Sequence, residues 1–252
     1  MYMKKVFMLM TAAAVMFGAC SKDGDDNPQA EKECRVTTLG ASAMYDGNTA
    51  FEYDSQSRIV KITANDGGDD YVADFTYQSS KITVKEYYDG ELDAEYEFTL
   101  NGSGLITSAT GDYGGDKTFT YDNDYLSRFT VEYDHGTSNV NITYSNGNLT
   151  QVNIDNSFDS SDSRTIAYDT GKSYQPFTSY FAEPFGDVSF WGVEYALYET
   201  GYFGKLPTNR IASADNATLS YETGSDGKAT RIKVDAYEGY SSYNAAVGYQ
   251  CD

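Results

Sequence analysis

Histidine is almost missing from this 252-residue chain, and its single copy, His135, falls in the turn Asp134-His135-Gly136. One imidazole cannot furnish a histidine-rich metal centre, and a nucleophilic triad would have to be built on this one turn residue, so neither is expected. His135 is therefore expected to be a turn residue. Basic side chains are also scarce: 18 Lys and Arg stand against 38 Asp and Glu, for a formal charge of −20. Such a surface repels nucleic acid and acidic lipid, so neither is expected as a partner. Cysteine occurs three times, at positions 20, 34 and 251.

What is present at the N-terminus is Lys4 and Lys5, the apolar run Val6 to Val15, then Gly18 and Ala19 before Cys20. The run is too short to span a bilayer as a helix and reads as a cleaved secretory signal over residues 1–19. Phe17-Gly18-Ala19-Cys20 resembles the bacterial lipobox, which implies acylation of the Cys20 thiol, although Phe17 stands where Leu is usual. Acyl chains anchor a protein at roughly 0.8 kcal/mol per buried methylene. The expected membrane contact is through this lipid alone. The polar stretch 20–33, opening Ser21-Lys22-Asp23-Gly24-Asp25-Asp26, reads as a flexible tether. It resembles the acidic signal that sends Bacteroidota lipoproteins to the outer face of the outer membrane. Residues 1–19 hold two lysines and no acid, so their removal takes the charge from −20 to −22. Cys34 and Cys251 then remain as an even pair for a disulfide in an oxidising envelope.

Residues 34–252 read as one domain written in a repeated phrase. Segments beginning at Phe51, Asp74, Tyr96, Lys117, Val140 and Arg164 each alternate apolar with polar residues up to a marker before a turn. The markers are Tyr53, Tyr77, Leu100, Tyr121, Tyr144 and Tyr168, spaced by 24, 23, 21, 23 and 24 residues. Period-two alternation around Asn-, Asp- and Gly-rich turns such as Asn101-Gly102 and Asn146-Gly147 makes each unit a β-hairpin. A seventh unit begins at Ala217. Seven hairpins predict an all-β fold, an antiparallel meander of about 14 strands curled into a barrel or barrel-like sheet.

The period breaks once, over about 173–210. Val188, Trp191, Tyr195, Tyr198 and Tyr202 recur at three and four residues after Asp187, followed by Gly201, Gly204 and Pro207. This spacing predicts one helix with an aromatic stripe, acting either as a plug against the sheet or as a platform for a ligand. The candidate binding residues are Trp191, Tyr195, Tyr198, Tyr202 and Phe203.

Tyr53-Asp54-Ser55-Gln56-Ser57-Arg58-Ile59 is similar to the tyrosine-aspartate repeat of large shell-forming bacterial toxins. The lipobox, the hairpin phrase, the helical insertion and the Gly201–Asn209 stretch GYFGKLPTN together resemble a Bacteroidota lipoprotein domain of unknown function with a porin-like fold. That resemblance implies a large antiparallel barrel with a helical segment across it. It carries no activity, cofactor or catalytic residue.

A membrane-spanning pore is not expected, because Lys81, Lys85, Glu95, Glu97, Arg128 and Glu132 load one strand face with charge. No carboxylate pair stands out for glycoside hydrolysis, so no catalytic residue, cofactor or enzyme activity is expected. The acidic runs Asn65–Asp70 and Asp155–Asp162 offer oxygens to calcium, but they sit where hairpin turns need Asn, Asp and Gly. The expected role is non-catalytic binding of a glycan, small molecule or protein at the cell envelope, at the outer membrane. The alternative is a structural component with a plugged barrel.

Overall fold

The computed structural model of the chain describes residues 34–40, 47–185, 190, 192–215, 217–235 and 242–251. The signal segment, Cys20 and the tether fall outside them, as do Asp187, Val188 and Trp191.

The described residues form sixteen strands and two short helices. The strands are β1 (Cys34–Leu39), β2 (Thr49–Tyr53), β3 (Ile59–Asp66), β4 (Asp69–Tyr77), β5 (Lys81–Tyr88), β6 (Glu91–Leu100), β7 (Ile106–Gly111) and β8 (Asp116–Asp122). They continue as β9 (Tyr125–Tyr133), β10 (Gly136–Ser145), β11 (Asn148–Asn156), β12 (Asp162–Ser173), β13 (Asn209–Ala214), β14 (Ala217–Thr223), β15 (Ala229–Asp235) and β16 (Tyr243–Cys251). Helices α1 (Ser179–Ala182) and α2 (Gly192–Glu199) lie in the chain between β12 and β13.

Each strand pairs antiparallel with its sequence neighbours, and β1 pairs with β16 to close the barrel. Closure removes both sheet edges. The seven repeated phrases account for β2 to β15. The two strands beyond the expected fourteen are β1 and β16, each half of a hairpin with no turn of its own for the repeat to mark. Cys34 faces Cys251 across their pairing, and a disulfide joins them over a sequence separation of 217.

Alternation decides the two faces of the wall. Tyr71, Ala73 and Phe75 of β4, Ala94, Tyr96 and Phe98 of β6, and Phe129 and Val131 of β9 point inward and are buried. Their neighbours point out and pair charge across strands, Lys85 with Glu95 at 3.3 Å, Lys81 with Glu97 at 2.5 Å and Lys61 with Asp74 at 3.5 Å. Exposed pairs of this kind contribute little stability, below about 1 kcal/mol each. Their consequence is for solvent: a charged outward face suits water, whereas a lipid-facing band must be apolar.

The turns after β2, β4, β6, β8, β10 and β14 define one end of the barrel, together with Cys34 and Cys251. We call it the tyrosine rim. The connections at 67–68, 89–90, 112–115, 134–135 and 157–161 define the far rim. The pairing register slips just before Tyr53, Leu100, Tyr121, Tyr144 and Tyr168. Such a bulge places an extra residue on one strand and re-aims the side chain that follows.

A sixteen-stranded barrel encloses a lumen wider than its own side chains can fill. Here the opened sixth turn fills it. Gln175 Oε1 accepts from Ala229 N at 2.7 Å near the tyrosine rim, and Tyr243 Oη donates to the Phe181 carbonyl at 2.9 Å near the far rim. The chain thus descends through α1 and returns through α2, and every residue of both helices is buried. The helix expected after Asp187 is found as α2, and α1 is a further short helix ahead of it, which ends inside the lumen where Glu183 takes a left-handed backbone (φ 40°).

Candidate functional site

Three of the five aromatics singled out in the insertion lie in the barrel's core. Tyr195, Tyr198 and Phe203 are 1%, 1% and 0% exposed. Tyr202 is half-buried and stacks on Tyr77 with ring centroids 5.7 Å apart, while Trp191 lies outside the described residues. Phe185 packs against Phe190 at 4.5 Å and Tyr198 at 5.4 Å, and Phe203 against Phe119 at 4.9 Å. Rings so placed exclude water and join insert to wall. The buried rings Tyr195, Tyr198 and Phe203 present no open face to a ligand.

Buried charge fixes the insert in register. Lys117 of β8 meets Glu194 of α2 at 2.5 Å, with side chains 2% and 1% exposed. Glu199 at the other end of α2 accepts from Ser179 N at 3.1 Å, from Tyr174 Oη at 2.6 Å and from Ser179 Oγ. Burial pushes the Glu199 carboxyl above the usual carboxylate range, and these hydrogen bonds offset part of that rise. Glu86, hydrogen-bonded by Tyr71 Oη at 2.5 Å, is raised for the same first cause. Neither carboxylate is exposed beside a cleft where a substrate bond would sit.

The repeated tyrosines form a ladder along one rim. Tyr53 Oη donates to the Val36 carbonyl, Tyr77 to Ile59 and Tyr221 to Ile211, each at 2.7 Å, and Tyr121 to Ile106 at 2.5 Å. Burial raises all four phenols above their ordinary range. Tyr144 instead faces the Tyr198 hydroxyl of α2. The stretch Tyr202–Thr208 runs over this rim as a strap. Its backbone accepts from Ile106 N at 2.9 Å and donates to the Asp124 carbonyl at 2.8 Å and the Gly147 carbonyl at 3.0 Å. Gly204 permits the approach: at φ 92°, a Cβ there would lie 2.2 Å from the Asp124 carbonyl oxygen.

The far rim is open where the β9–β10 turn meets the β11–β12 connection. A cleft of about 470 Å³ lies there, lined by Tyr133, His135, Asn156, Phe158, Asp159 and Arg164 among others. The Tyr133 and His135 rings stack at 5.4 Å and 26°, and Phe158 stands edge-on to His135 at 4.5 Å. Phe158 is 43% exposed. The two turns are braced by Thr137 N donating to Ser157 Oγ at 2.8 Å and Ser157 N to the Thr137 carbonyl at 2.9 Å. Gly136 lets them meet, since a Cβ there would strike Ser157 Oγ at 2.4 Å.

His135 is indeed in a turn, and it also forms a wall of this cleft, which sequence reasoning did not find. The one available signal was Phe158, a large apolar residue in a connection otherwise made of Asp, Asn and Ser. The acidic runs at 65–70 and 155–162 span the β3–β4 and β11–β12 connections and the strand ends that flank them. Among the described residues, no group of three or more His, Cys, Asp or Glu is placed to hold a metal ion. A second groove, about 330 Å³, lies beside the disulfide at Arg35, Thr37, Phe51, Glu52, Tyr53 and Gln250.

Solved structures that share this architecture include two porin-like proteins. A porin-like protein from Bacteroides uniformis is 17% identical, with a TM-score of 0.58 over 85% of this chain and 95% of its own. A porin-like protein from Bacteroides vulgatus is 18% identical, with a TM-score of 0.55 over 85% and 98%. At such identity the likeness concerns the fold alone. No curated protein matches the chain. The family model of a domain of unknown function with porin-like fold, DUF4595, matches residues 47–234, from the first hairpin through β15. The chain belongs to that family.

Proposed function

We propose that this chain is a lipid-anchored envelope protein whose barrel is occupied by its own insert and which binds a ligand, without transforming it, through an exposed rim. The observation that carries this reading is the burial of α1 and α2 in the lumen, which removes the interior as a conduit and leaves the rims as working surface. The porin-like fold is compatible with an envelope location. The lipobox at Cys20, the disulfide and the outward charged pairs support an exported protein held by lipid and surrounded by water.

The buried insert equally suits a structural component without a small-molecule ligand. The cleft favours binding, since three rings from two separate connections, Tyr133, His135 and Phe158, converge beside polar side chains in one recess. Membrane fractionation tests the anchoring. The wild-type protein stays with membranes, and Cys20→Ser exported behind a signal that is cleaved without lipidation is released into the soluble fraction. Retention of that cleaved variant under carbonate extraction contradicts the reading, because it requires a wall that crosses lipid. Oligosaccharides incubated with the mature protein are recovered intact; cleavage products reproduced across preparations contradict the non-catalytic part.

A further inference from the structure

The far-rim cleft combines an aromatic wall with fixed hydrogen-bonding groups, and its chemistry narrows what fits. Tyr133, His135 and Phe158 offer ring surface, of which Phe158 is solvent-facing. Around them stand a carboxamide, two carboxylates and a guanidinium. Asn156 is held by Ser138 Oγ, which donates to its Oδ1 at 2.5 Å, and by its own Nδ2 donating to the Ser160 carbonyl at 3.1 Å. Asp159 Oδ1 accepts from Ser160 N, and Asp162 Oδ1 from Ser163 N, both at 2.7 Å. Each carboxylate is thereby held in orientation by the backbone of its own connection. Arg164 Nε lies 3.6 Å from Asp162 Oδ2 and 3.7 Å from Asp215 Oδ2, beyond hydrogen-bond length.

Several ligand classes fail against this set. An anion meets two carboxylates on a protein of charge −20. A metal ion finds no group of three ligating side chains among the described residues. A small cation is opposed by Arg164. A wholly apolar ligand strands the amide, carboxylates and guanidinium away from water, at about 1–3 kcal/mol for each group left unpaired. A neutral ring with an apolar C–H face and hydroxyls on its edge satisfies both halves: the face lies on the aromatics, and the hydroxyls donate to Asp159 and Asp162 and accept from Asn156 and Arg164. The volume is that of a small-molecule site, ~300–1,000 Å³.

On the reading that the chain binds through a rim, we infer that the cleft formed by the β9–β10 turn and the β11–β12 connection is a subsite for one ring of a neutral sugar. Prior fixation of Asn156, Asp159 and Asp162 by their own backbone and hydroxyl partners lowers the ordering cost of binding. The exposed position gives access to a ring within a longer chain.

The experiment is calorimetric titration of the mature protein with maltohexaose, cellohexaose, mannohexaose, xylohexaose and a β-1,4-galactan oligomer, with choline and inorganic phosphate as the contrasting probes. At least one oligosaccharide is expected to bind with Kd below about 1 mM. Phe158→Ala is expected to weaken that binding about tenfold or more, as is His135→Ala. Leu92→Ala, which removes another exposed apolar residue from the same rim, is expected to leave it unchanged. Circular dichroism and the melting transition establish that the variants fold. Absence of binding by all five sugars at ~10 mM overturns the sugar assignment. Sugar binding indifferent to both Phe158→Ala and His135→Ala overturns the cleft while leaving rim binding in place. Choline or phosphate binding that is lost in Phe158→Ala overturns the ligand class. Failure of the cleaved Cys20→Ser variant to leave the membrane overturns anchoring by lipid alone, so the two failures are distinguishable.

Discussion

At the tyrosine rim the turns carry tyrosines bonded to neighbouring carbonyls, a strap of backbone lies across them, and the disulfide ties β1 to β16. At the far rim the connections are acidic, as at Asp69-Asp70, Asp89, Asp112, Asp134 and Asp159, and an aromatic cleft stands open between two of them. The same hairpins thus end in a strapped, repetitive edge on one side and a variable, solvated edge on the other. The repeat serves closure. What departs from it, the insert and the Phe158 connection, supplies the filled lumen and the one exposed aromatic recess we describe.

The largest way to break this contrast is at the seam. Cys34→Ser with Cys251→Ser removes a bond closing 217 residues, and the loss in unfolding free energy is expected to be up to about 5 kcal/mol, read by denaturant titration. Next comes the pin between wall and insert. Lys117→Met removes the buried cation that faces Glu194 and is expected to cost ~3–5 kcal/mol, whereas Lys117→Met with Glu194→Leu recovers most of it. Equal loss in the single and double variants would mean that the pair does not hold the insert.

Glu199 gives the contrast a pH dependence. Its folded-state carboxyl is raised mainly by burial, so the native protein holds this proton more tightly than the unfolded chain does. Stability then falls as pH rises from the usual carboxylate range through the raised value. Melting at about pH 5 is expected to exceed melting at about pH 8, and Glu199→Gln is expected to narrow the difference. The general repulsion of a charge of −20 acts in the same direction, so the narrowing in the variant is the informative quantity.

The smallest effects separate the rims most cleanly. Tyr121→Phe removes one hydroxyl from the ladder and is expected to cost ~0.5–1.5 kcal/mol. Phe158→Ala, at an exposed position, is expected to change stability by less than about 0.5 kcal/mol while it weakens sugar binding.

Much of the wall was legible in the sequence, because strand alternation and turn chemistry are local and the markers at Tyr53 through Tyr168 recur at nearly constant spacing. The two end strands escaped because neither contains a turn. The insert's place was visible as a break in period, yet its spacing at three and four residues implied a one-sided stripe. In a closed lumen α2 is buried on every side, a fact of barrel closure that no helical periodicity encodes. The cleft was illegible for a different reason. Its two halves, at His135 and Phe158, come from separate connections whose Asp, Asn, Ser and Gly residues are fully accounted for by turn formation.

The central claim, that the insert is part of the core and leaves the far rim as the working surface, is tested most directly by amide hydrogen exchange on the mature protein. Amides of 192–199 are predicted to exchange as slowly as those of β8 and β9, with the connections at 134–135 and 157–161 exchanging early. Exchange of 192–199 on the timescale of those connections would contradict the claim, since it would mean that the insert leaves the lumen under native conditions.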